Sequence, residues 1–213
     1  MNLSGERKNN YLVKRIETCR EGWHSDLPVA NVDIFPWKNI TGNYCPVVKA
    51  RIAVYEDSFL VFMETDETKI RTKEKGFSAL VFTDSCMEFF LMPDPVNSFQ
   101  YINFELTPVG AMYLSIGTHR YDRHDIRLEN YAEFFQVKTM VHDKGWNIEF
   151  CIPRLFLQRC FPLLELKPLH IMRGNLYKCG DKTSMPHYGC WSPIDLPEPD
   201  FHCPAFFGNF MIN

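Results

Sequence analysis

The chain has 213 residues and a formal net charge of −3, with 46% hydrophobic and 23% charged residues. This composition is ordinary for a globular protein with one hydrophobic core, and we expect a single soluble domain over residues 1–213. Acidic and basic residues are interspersed without the basic stripe that would neutralise a phosphate backbone, which argues against nucleic acid as a partner.

The first 45 residues carry several charges and show little regular alternation. No apolar run follows the charged start, and no later apolar stretch is long enough to cross a bilayer. The sequence therefore predicts neither a signal peptide nor a membrane span. We expect the protein in the cytoplasm, and a secreted protein only if a leader is missing. Residues 1–45 are expected to lie as an extended arm over the rim of the fold.

Between residues 47 and 116, apolar side chains recur with a period of two or in short saturated runs that turn-forming residues separate. This pattern is typical of strands in a sandwich. The predicted strands are 47–55, 59–65, 77–82, 86–92, 99–106 and 111–116. Pro108 and Gly110 supply the turn that makes a hairpin of the last two.

The second half of the chain continues the same pattern. The predicted elements are strands 134–141 and 146–152, a short helix 153–160, a strand 170–178, a proline-rich loop 179–204 and a strand 206–212. We therefore predict an all-β sandwich of two antiparallel sheets, of immunoglobulin-like or jelly-roll type, with one short helix and a long C-terminal loop. A loop of that length is usually functional or packed as a cover.

Motifs that impose enzyme chemistry at fixed spacings are absent. The sequence contains no GxSxG, no GxxxxGKS/T, no GxGxxG and no HExxH. Carboxylates at Asp84, Glu88, Glu105 and Asp181 could serve glycoside hydrolysis if two of them stood roughly 5–10 Å apart across a cleft. They could also accept hydrogen bonds from sugar hydroxyls, or make purely structural bonds.

The eight cysteines contain no CxxC pair, and we expect them to be reduced thiols. The best candidates for zinc ligands are Cys179, His187, Cys190, His202 and Cys203. Their spacing fits no common zinc module. We interpret them as buried thiols and hydrogen-bonded histidines, and predict no metal there.

Six strings, taken in order, carry a resemblance to a known family. They are FTDSCMEFF at 82–90, YINFE at 101–105, NLYKCGD at 175–181, PHY at 186–188, WSPI at 191–194 and PDFH at 199–202. Together they resemble the family 9 carbohydrate-binding modules over residues 30–213. The strings around 84–90 and 177–181 are the most specific.

The resemblance implies a β-sandwich related to the DOMON class, in which a sugar lies between two aromatic side chains and is hydrogen-bonded by polar residues. A pyranose offers apolar C–H faces to rings and hydroxyls to polar groups. The implied sugar-binding set is Phe82, Glu88, Tyr101, Asn103, Arg173, His187 and Trp191. Phe82 and Trp191 are the expected platforms, with Phe82 at a position where the family has a tryptophan. His187 precedes Trp191 and is expected to hydrogen-bond the sugar.

Two polar positions of the family lie two residues apart on one strand. Asn103 keeps the family's asparagine, whereas Tyr101 stands where the family has an arginine. Losing a guanidinium removes a bidentate donor. Arg173 or Asn175, which alternation places on one face of a later strand, could replace it.

We therefore predict non-catalytic binding of a mono- or oligosaccharide. One alternative is a glycan-active enzyme that uses Glu88 or Asp181. The other is a DOMON-type protein that binds haem through an axial Met or His, or serves as an interaction scaffold. No cofactor is predicted, although structural calcium stays possible because acidic loop residues are plentiful.

Overall fold

The computed structural model describes residues 9–213. Its strands are β1 Asn10–Ile16, β2 Ala30–Val32, β3 Val48–Tyr55, β4 Ser58–Thr65, β5 Cys86–Met92, β6 Tyr101–Leu106, β7 Met112–Gly117, β8 His124–Asp125, β9 Lys138–His142, β10 Gly145–Pro153, β11 Ile171–Cys179, β12 Tyr188–Cys190 and β13 Gly208–Ile212. The α-helices are α1 Lys38–Thr41, α2 Tyr131–Phe134 and α3 Arg154–Cys160, and short 3₁₀ turns span Val81–Thr83 and Pro204–Phe206.

The strands form two packed sheets, as the sequence predicted. Sheet A has the order β8-β7-β6-β5-β11-β13-β1, with β12 also paired to β11. Sheet B has the order β1-β3-β4-β10-β9, with β2 also paired to β3. The two sheets share β1, which pairs with β13 through residues 10–13 and with β3 through residues 14–16. Both of these pairings are parallel, whereas the other strand pairings are antiparallel.

The main core lies between the sheets and follows from the alternation of side chains along each strand. In β5, Met87, Phe89 and Leu91 face this core, and Phe104 of β6 and Phe150 of β10 meet there with ring centroids 5.8 Å apart. All five side chains are buried.

The outer face of sheet A is also covered, so its strands are buried on both sides. Tyr177 of β11 stacks on Phe201 of the C-terminal loop, with ring centroids 4.1 Å apart and planes within 5°. Trp37 donates from Nε1 to the carbonyl oxygen of Leu196 at 2.8 Å. The predicted long loop is therefore a cover over sheet A, and it forms a second apolar layer there.

Three segments differ from the sequence-based expectations. Residues 77–82 are not a strand, because backbone bonds from residue i to i+3 close a 3₁₀ turn at Val81–Thr83. The start of the predicted strand 134–141 belongs to helix α2 and the turn after it. The expected arm over residues 1–45 instead contributes β1 and β2 to the sheets, and its residues 1–8 lie outside the described residues.

Helix α3 is confirmed at the predicted place.

No helix in the described part of the chain is long and apolar enough to cross a membrane.

Candidate functional site

A pocket of about 350 Å³ opens on the outer face of sheet A. Its floor is formed by four strands of the sheet, which contribute Glu88, Glu105, Tyr113 and Cys179. These side chains share a face because each occupies the strand position opposite to the core-facing residues. The remaining lining comes from the segment before β5, from the loop between β7 and β8, and from the C-terminal loop.

Two carboxylates lie side by side on the floor. Glu88 and Glu105 are direct partners in the β5–β6 ladder, and both are 3% exposed. Burial raises the pKa of both carboxyl groups, and for Glu105 the charge of Glu88 adds to the effect. Asn103 donates from Nδ2 to Oε1 of Glu105 at 2.9 Å, and Cys179 donates from Sγ to Oε1 of Glu88 at 2.9 Å. A proton is therefore held more easily at this floor than on an exposed carboxylate.

The loop between β7 and β8 brings two guanidinium groups to the pocket. Arg123 lies with NH1 3.7 Å from Oε1 of Glu105 and with its guanidinium 5.6 Å from the ring centroid of Tyr113. Arg120 pairs with Asp200 of the C-terminal loop at 3.1 Å and donates to the carbonyl oxygen of Pro199 at 3.2 Å. The wall of the pocket thus joins two distant loops through an ion pair.

Aromatic side chains form the other wall. Phe82 is 37% exposed, and its backbone carbonyl accepts a hydrogen bond from the amide of Asp181 at 3.2 Å. Burial raises the pKa of Asp181, and a side-chain hydrogen bond with Tyr188 offsets part of this increase. The pocket therefore combines a partly open aromatic face with polar groups that are not all charged at neutral pH.

Of the seven predicted sugar-binding residues, Phe82 and Glu88 line this pocket. Tyr101 and Asn103 lie one layer beneath it. The hydroxyl of Tyr101 is 2.8 Å from Nδ1 of the lining residue His202, and Asn103 holds Glu105. Burial lowers the pKa of His202, which keeps its ring neutral. Tyr101 and Asn103 thus position lining residues.

Trp191 does not form the second platform that the sequence predicted. It is 5% exposed and belongs to the main core, where its ring centroid is 4.9 Å from that of Phe210. The ring fits there because a glycine faces it: a Cβ at Gly208 would lie 2.6 Å from the indole. Trp191 is therefore on the opposite side of sheet A from the pocket.

Arg173 and His187 also lie away from the pocket. Arg173 donates from NH2 to the carbonyl oxygens of Pro204 at 2.8 Å and Phe207 at 3.2 Å, so it fastens the end of the C-terminal loop. His187 is fully buried, with Nε2 2.8 Å from Nζ of Lys178. Asn175 is buried and donates from Nδ2 to the carbonyl oxygen of Ser192 at 2.9 Å. Neither Arg173 nor Asn175 therefore lines the pocket in place of the family's arginine, whereas the guanidinium of Arg123 does reach it.

The sequence analysis missed several lining residues. Arg120 and Arg123 gave a weak signal, since they lie in a charged segment between two predicted elements. Asp200 and His202 belong to the PDFH string, but nothing in the sequence showed that this string folds over the pocket. Tyr113 looked like any strand residue.

The five predicted zinc candidates of the C-terminal loop do not come together. Within the described residues, the group of three or more potential ligands is Cys86, Glu88 and Cys179, whose ligand atoms lie within 4.8 Å of one another. Asp84, a further candidate carboxylate, pairs with Arg71 and accepts from the amide of Glu74 at 2.7 Å. Its role is structural.

Residues 23–212 match the family model described as carbohydrate-binding family 9. The chain belongs to this family. Among curated proteins, none matches the chain.

Solved structures of similar fold include a crystal structure of a putative carbohydrate-binding protein from Bacteroides uniformis ATCC 8492. The two sequences are 27% identical, the match covers 97% of this chain and 100% of that chain, and the TM-score is 0.78. A family 9 module from Caldicellulosiruptor kristjanssonii in complex with cellotriose has 12% identity, coverage of 96% and 93%, and a TM-score of 0.65. The complex with glucose has 10% identity, coverage of 96% and 96%, and a TM-score of 0.66. The last two show the shared family 9 fold.

Proposed function

We propose that this family 9 chain is a non-catalytic carbohydrate-binding protein and that the pocket on sheet A holds a mono- or short oligosaccharide. The observation that supports this proposal most strongly is that one pocket is lined both by a partly exposed aromatic ring and by many polar side chains. Its volume of about 350 Å³ lies at the small end of the range for ligand sites. The solved modules bound to cellotriose and glucose support this ligand class.

The chemistry of the lining fits the two kinds of surface on a sugar. The exposed ring of Phe82 offers an apolar face for C–H groups. Arg123 and Asp181 offer a donor and an acceptor for hydroxyls. The carboxyl groups of Glu88 and Glu105 can donate when protonated and accept in either state. Unpaired polar groups in such a site would cost about 1–3 kcal/mol each, so the polar set determines which sugar fits.

Isothermal titration calorimetry with a panel of mono- and oligosaccharides, beginning with glucose and cellotriose, tests this proposal. We expect measurable binding that Phe82→Ala weakens by roughly tenfold, which equals about 1.4 kcal/mol. Leu80→Ala is the matched control, because Leu80 is an exposed apolar residue of the same segment outside the pocket lining. Absence of binding to every sugar, or equal affinities for the Phe82 variant and the wild-type protein, would overturn the proposal.

A glycan-active enzyme is the second candidate, because Glu88 and Asp181 both line the pocket and burial raises the pKa of both. A general acid needs such a shift. Against it, Glu88 and Glu105 lie side by side on the floor, whereas hydrolysis needs two carboxylates that flank the scissile bond. Turnover of a chromogenic glycoside that disappears in Glu88→Gln would favour the enzyme.

The haem alternative has less support from the pocket. Haem needs an apolar cavity and an axial ligand, whereas acidic side chains form much of this floor, and the Nδ1 atom of the lining histidine, His202, is engaged by Tyr101. The visible absorption of the purified protein tests it directly.

A cytoplasmic location is also a proposal. All eight cysteines are unpaired, which is typical of proteins in a reducing compartment.

A further inference from the structure

Two cysteines and one glutamate meet at the floor of the pocket. Cys86 and Cys179 are direct partners across the antiparallel β5–β11 pair. Glu88 lies two residues after Cys86 and therefore on the same face of β5. The two sulfur atoms and a carboxylate oxygen all lie within 4.8 Å of one another. The strand register brings together three side chains that can ligate a metal.

The cluster is buried but has a route to solvent. Each of the three side chains is at most 3% exposed. Glu88 and Cys179 nevertheless line the pocket, so an ion has a route from solvent to two of the three residues. An entry path is one of the requirements for a plausible metal site.

The charge balance at the floor leaves room for a cation. Glu88 accepts its hydrogen bond from the thiol of Cys179, and a thiol is a weak donor. The guanidinium of Arg123 lies 3.7 Å from Glu105, which is a second carboxylate in the same place. Among the described residues, Arg123 is the cation within ion-pair distance of these two adjacent buried carboxyl groups, so a bound cation could take the place of the proton that burial favours there.

We propose that Cys86, Glu88 and Cys179 form a binding site for a soft divalent cation of the zinc type. Sulfur ligands select Zn²⁺ over Mg²⁺ and Ca²⁺, which prefer oxygen. Zinc takes thiolate sulfur at about 2.3 Å and carboxylate oxygen at about 2.0–2.2 Å, so three ligand atoms around one ion lie roughly 3.5 Å apart. The three ligand atoms lie within 4.8 Å of one another, so they would have to draw together by roughly 1 Å at most around such an ion.

Binding would release the two thiol protons to solvent, because cysteine ligates zinc as the thiolate. With three protein ligands, a tetrahedral ion keeps a fourth position. Because Glu88 and Cys179 line the pocket, a water molecule or an oxygen of a bound ligand could reach the ion from that side as the fourth ligand. The inference goes beyond sugar binding and does not require it.

Cobalt titration of the reduced, metal-free full chain tests the site. We expect one equivalent of Co²⁺ to give the thiolate-to-cobalt charge-transfer absorption, and Zn²⁺ to remove it. Cys86→Ser and Cys179→Ser should each weaken cobalt binding by more than the roughly 10- to 100-fold that loss of an outer partner costs. Cys190→Ser is the matched control, because Cys190 is equally buried on neighbouring strand β12 but lies outside the cluster.

Glu88→Gln is a second variant that keeps the shape of the side chain, and it should also weaken cobalt binding. If the cysteine variants do not fold, Glu88→Gln locates the site: weaker cobalt binding in Glu88→Gln with unchanged binding in Cys190→Ser supports it, and unchanged binding in Glu88→Gln overturns it. Absence of the charge-transfer band, or a band that persists in a folded Cys86→Ser or Cys179→Ser variant, would overturn the site. Because cobalt binding is measured without sugar, failure of the metal site and failure of sugar binding are separate results.

Discussion

Lys178 is a charged residue buried completely between the two sheets. Its Nζ lies 2.9 Å from Oε2 of Glu67 and 2.8 Å from Nε2 of His187, and Trp146 donates to the same carboxylate at 3.0 Å. Nδ1 of His187 is 2.7 Å from the carbonyl oxygen of Met185, so Nδ1 carries the proton and Nε2 accepts from Lys178. Protonation of His187 at Nε2 would remove this acceptor and place a second positive charge beside Lys178 in the core.

His187 makes the fold sensitive to acid. Burial, together with the charge of Lys178, lowers the pKa of His187 to about 4, against about 6.5 for a free side chain. Between these values the unfolded chain binds the proton and the folded chain does not, so the free energy of unfolding decreases as the pH falls from about 6.5 to about 4. The expected loss is about 3 kcal/mol.

Urea denaturation across this pH range measures the effect. His187→Gln should show a smaller decrease than the wild-type protein, because glutamine does not titrate. His142→Gln, at an exposed position, is the control and should follow the wild-type curve. Parallel curves for the wild type and His187→Gln would contradict the assignment.

Substitutions at Phe82 and Trp191 should have opposite effects, one on sugar affinity and the other on the free energy of unfolding. Trp191→Phe leaves a cavity in the main core, and we expect a loss on the order of 2 kcal/mol in unfolding free energy with unchanged sugar affinity. Phe82→Ala should do the reverse, since its ring is 37% exposed at the pocket. Thermal denaturation and calorimetry on both variants check this. A drop in affinity for a folded Trp191→Phe would restore the role that the sequence predicted.

For single residues, alternation along a strand predicted which side chains share a face. It did not predict which of those side chains are exposed to solvent. The period of two groups Glu88 with Cys86 and Asn103 with Tyr101 on one face of each strand, and the structure shows that this is the outer face of sheet A. It gave no information on Trp191, whose burial depends on Phe210 and on the missing side chain at Gly208. Those contacts join parts of the chain that a local pattern does not connect.

The loop between β7 and β8 is held in its conformation by hydrogen bonds to one carboxylate, that of Asp122. Asp122 accepts hydrogen bonds from the amides of Thr118 at 2.9 Å and His119 at 2.8 Å. These bonds close the loop that presents Arg120 and Arg123 to the pocket. The conformation of this loop therefore determines where the two arginines lie in the pocket.

Asp122→Ala should weaken sugar binding with little effect on stability. Ordering the freed loop again on binding would cost about 1 kcal/mol, which corresponds to roughly a fivefold loss of affinity. Asp143→Ala, in the exposed turn between β9 and β10, is the matched control. Calorimetry with the best sugar of the panel measures the difference. Identical affinities for the two variants would show that Asp122 does not order the binding loop.

Most elements could be predicted because hairpins are local. The hairpin of β3 and β4, that of β6 and β7, and helix α3 all lie within a few residues of their predicted positions. The errors at 77–82 and 134–137 have one cause: adjacent apolar residues satisfy a strand pattern, while the backbone there closes short helical turns. Periodicity does not distinguish these cases in short runs.

For the whole molecule, β1 is the strand that the sequence could not place. Its residues 10–13 pair with residues 209–212 at the far end of the chain, and its residues 14–16 pair with β3. Parallel pairing over such a distance leaves no local signature. Tyr11 of this strand also accepts a hydrogen bond at its hydroxyl from the amide of Ile52 at 2.9 Å. The start of the chain therefore closes the sandwich by joining both sheets.

Two neighbouring residues of β1 test this closing role. Val13 is fully buried in the main core, whereas Leu12 is 38% exposed. Val13→Asp places a carboxylate in the hydrophobic core, and we expect a loss of about 3–5 kcal/mol or more, enough to prevent cooperative folding of a marginally stable protein. Leu12→Asp introduces the same charge one residue away and should change stability by only about 0.5 kcal/mol. Urea denaturation followed by tryptophan fluorescence measures both. If both variants unfold like the wild-type protein, β1 is a dispensable addition to two sheets that already hold together without it.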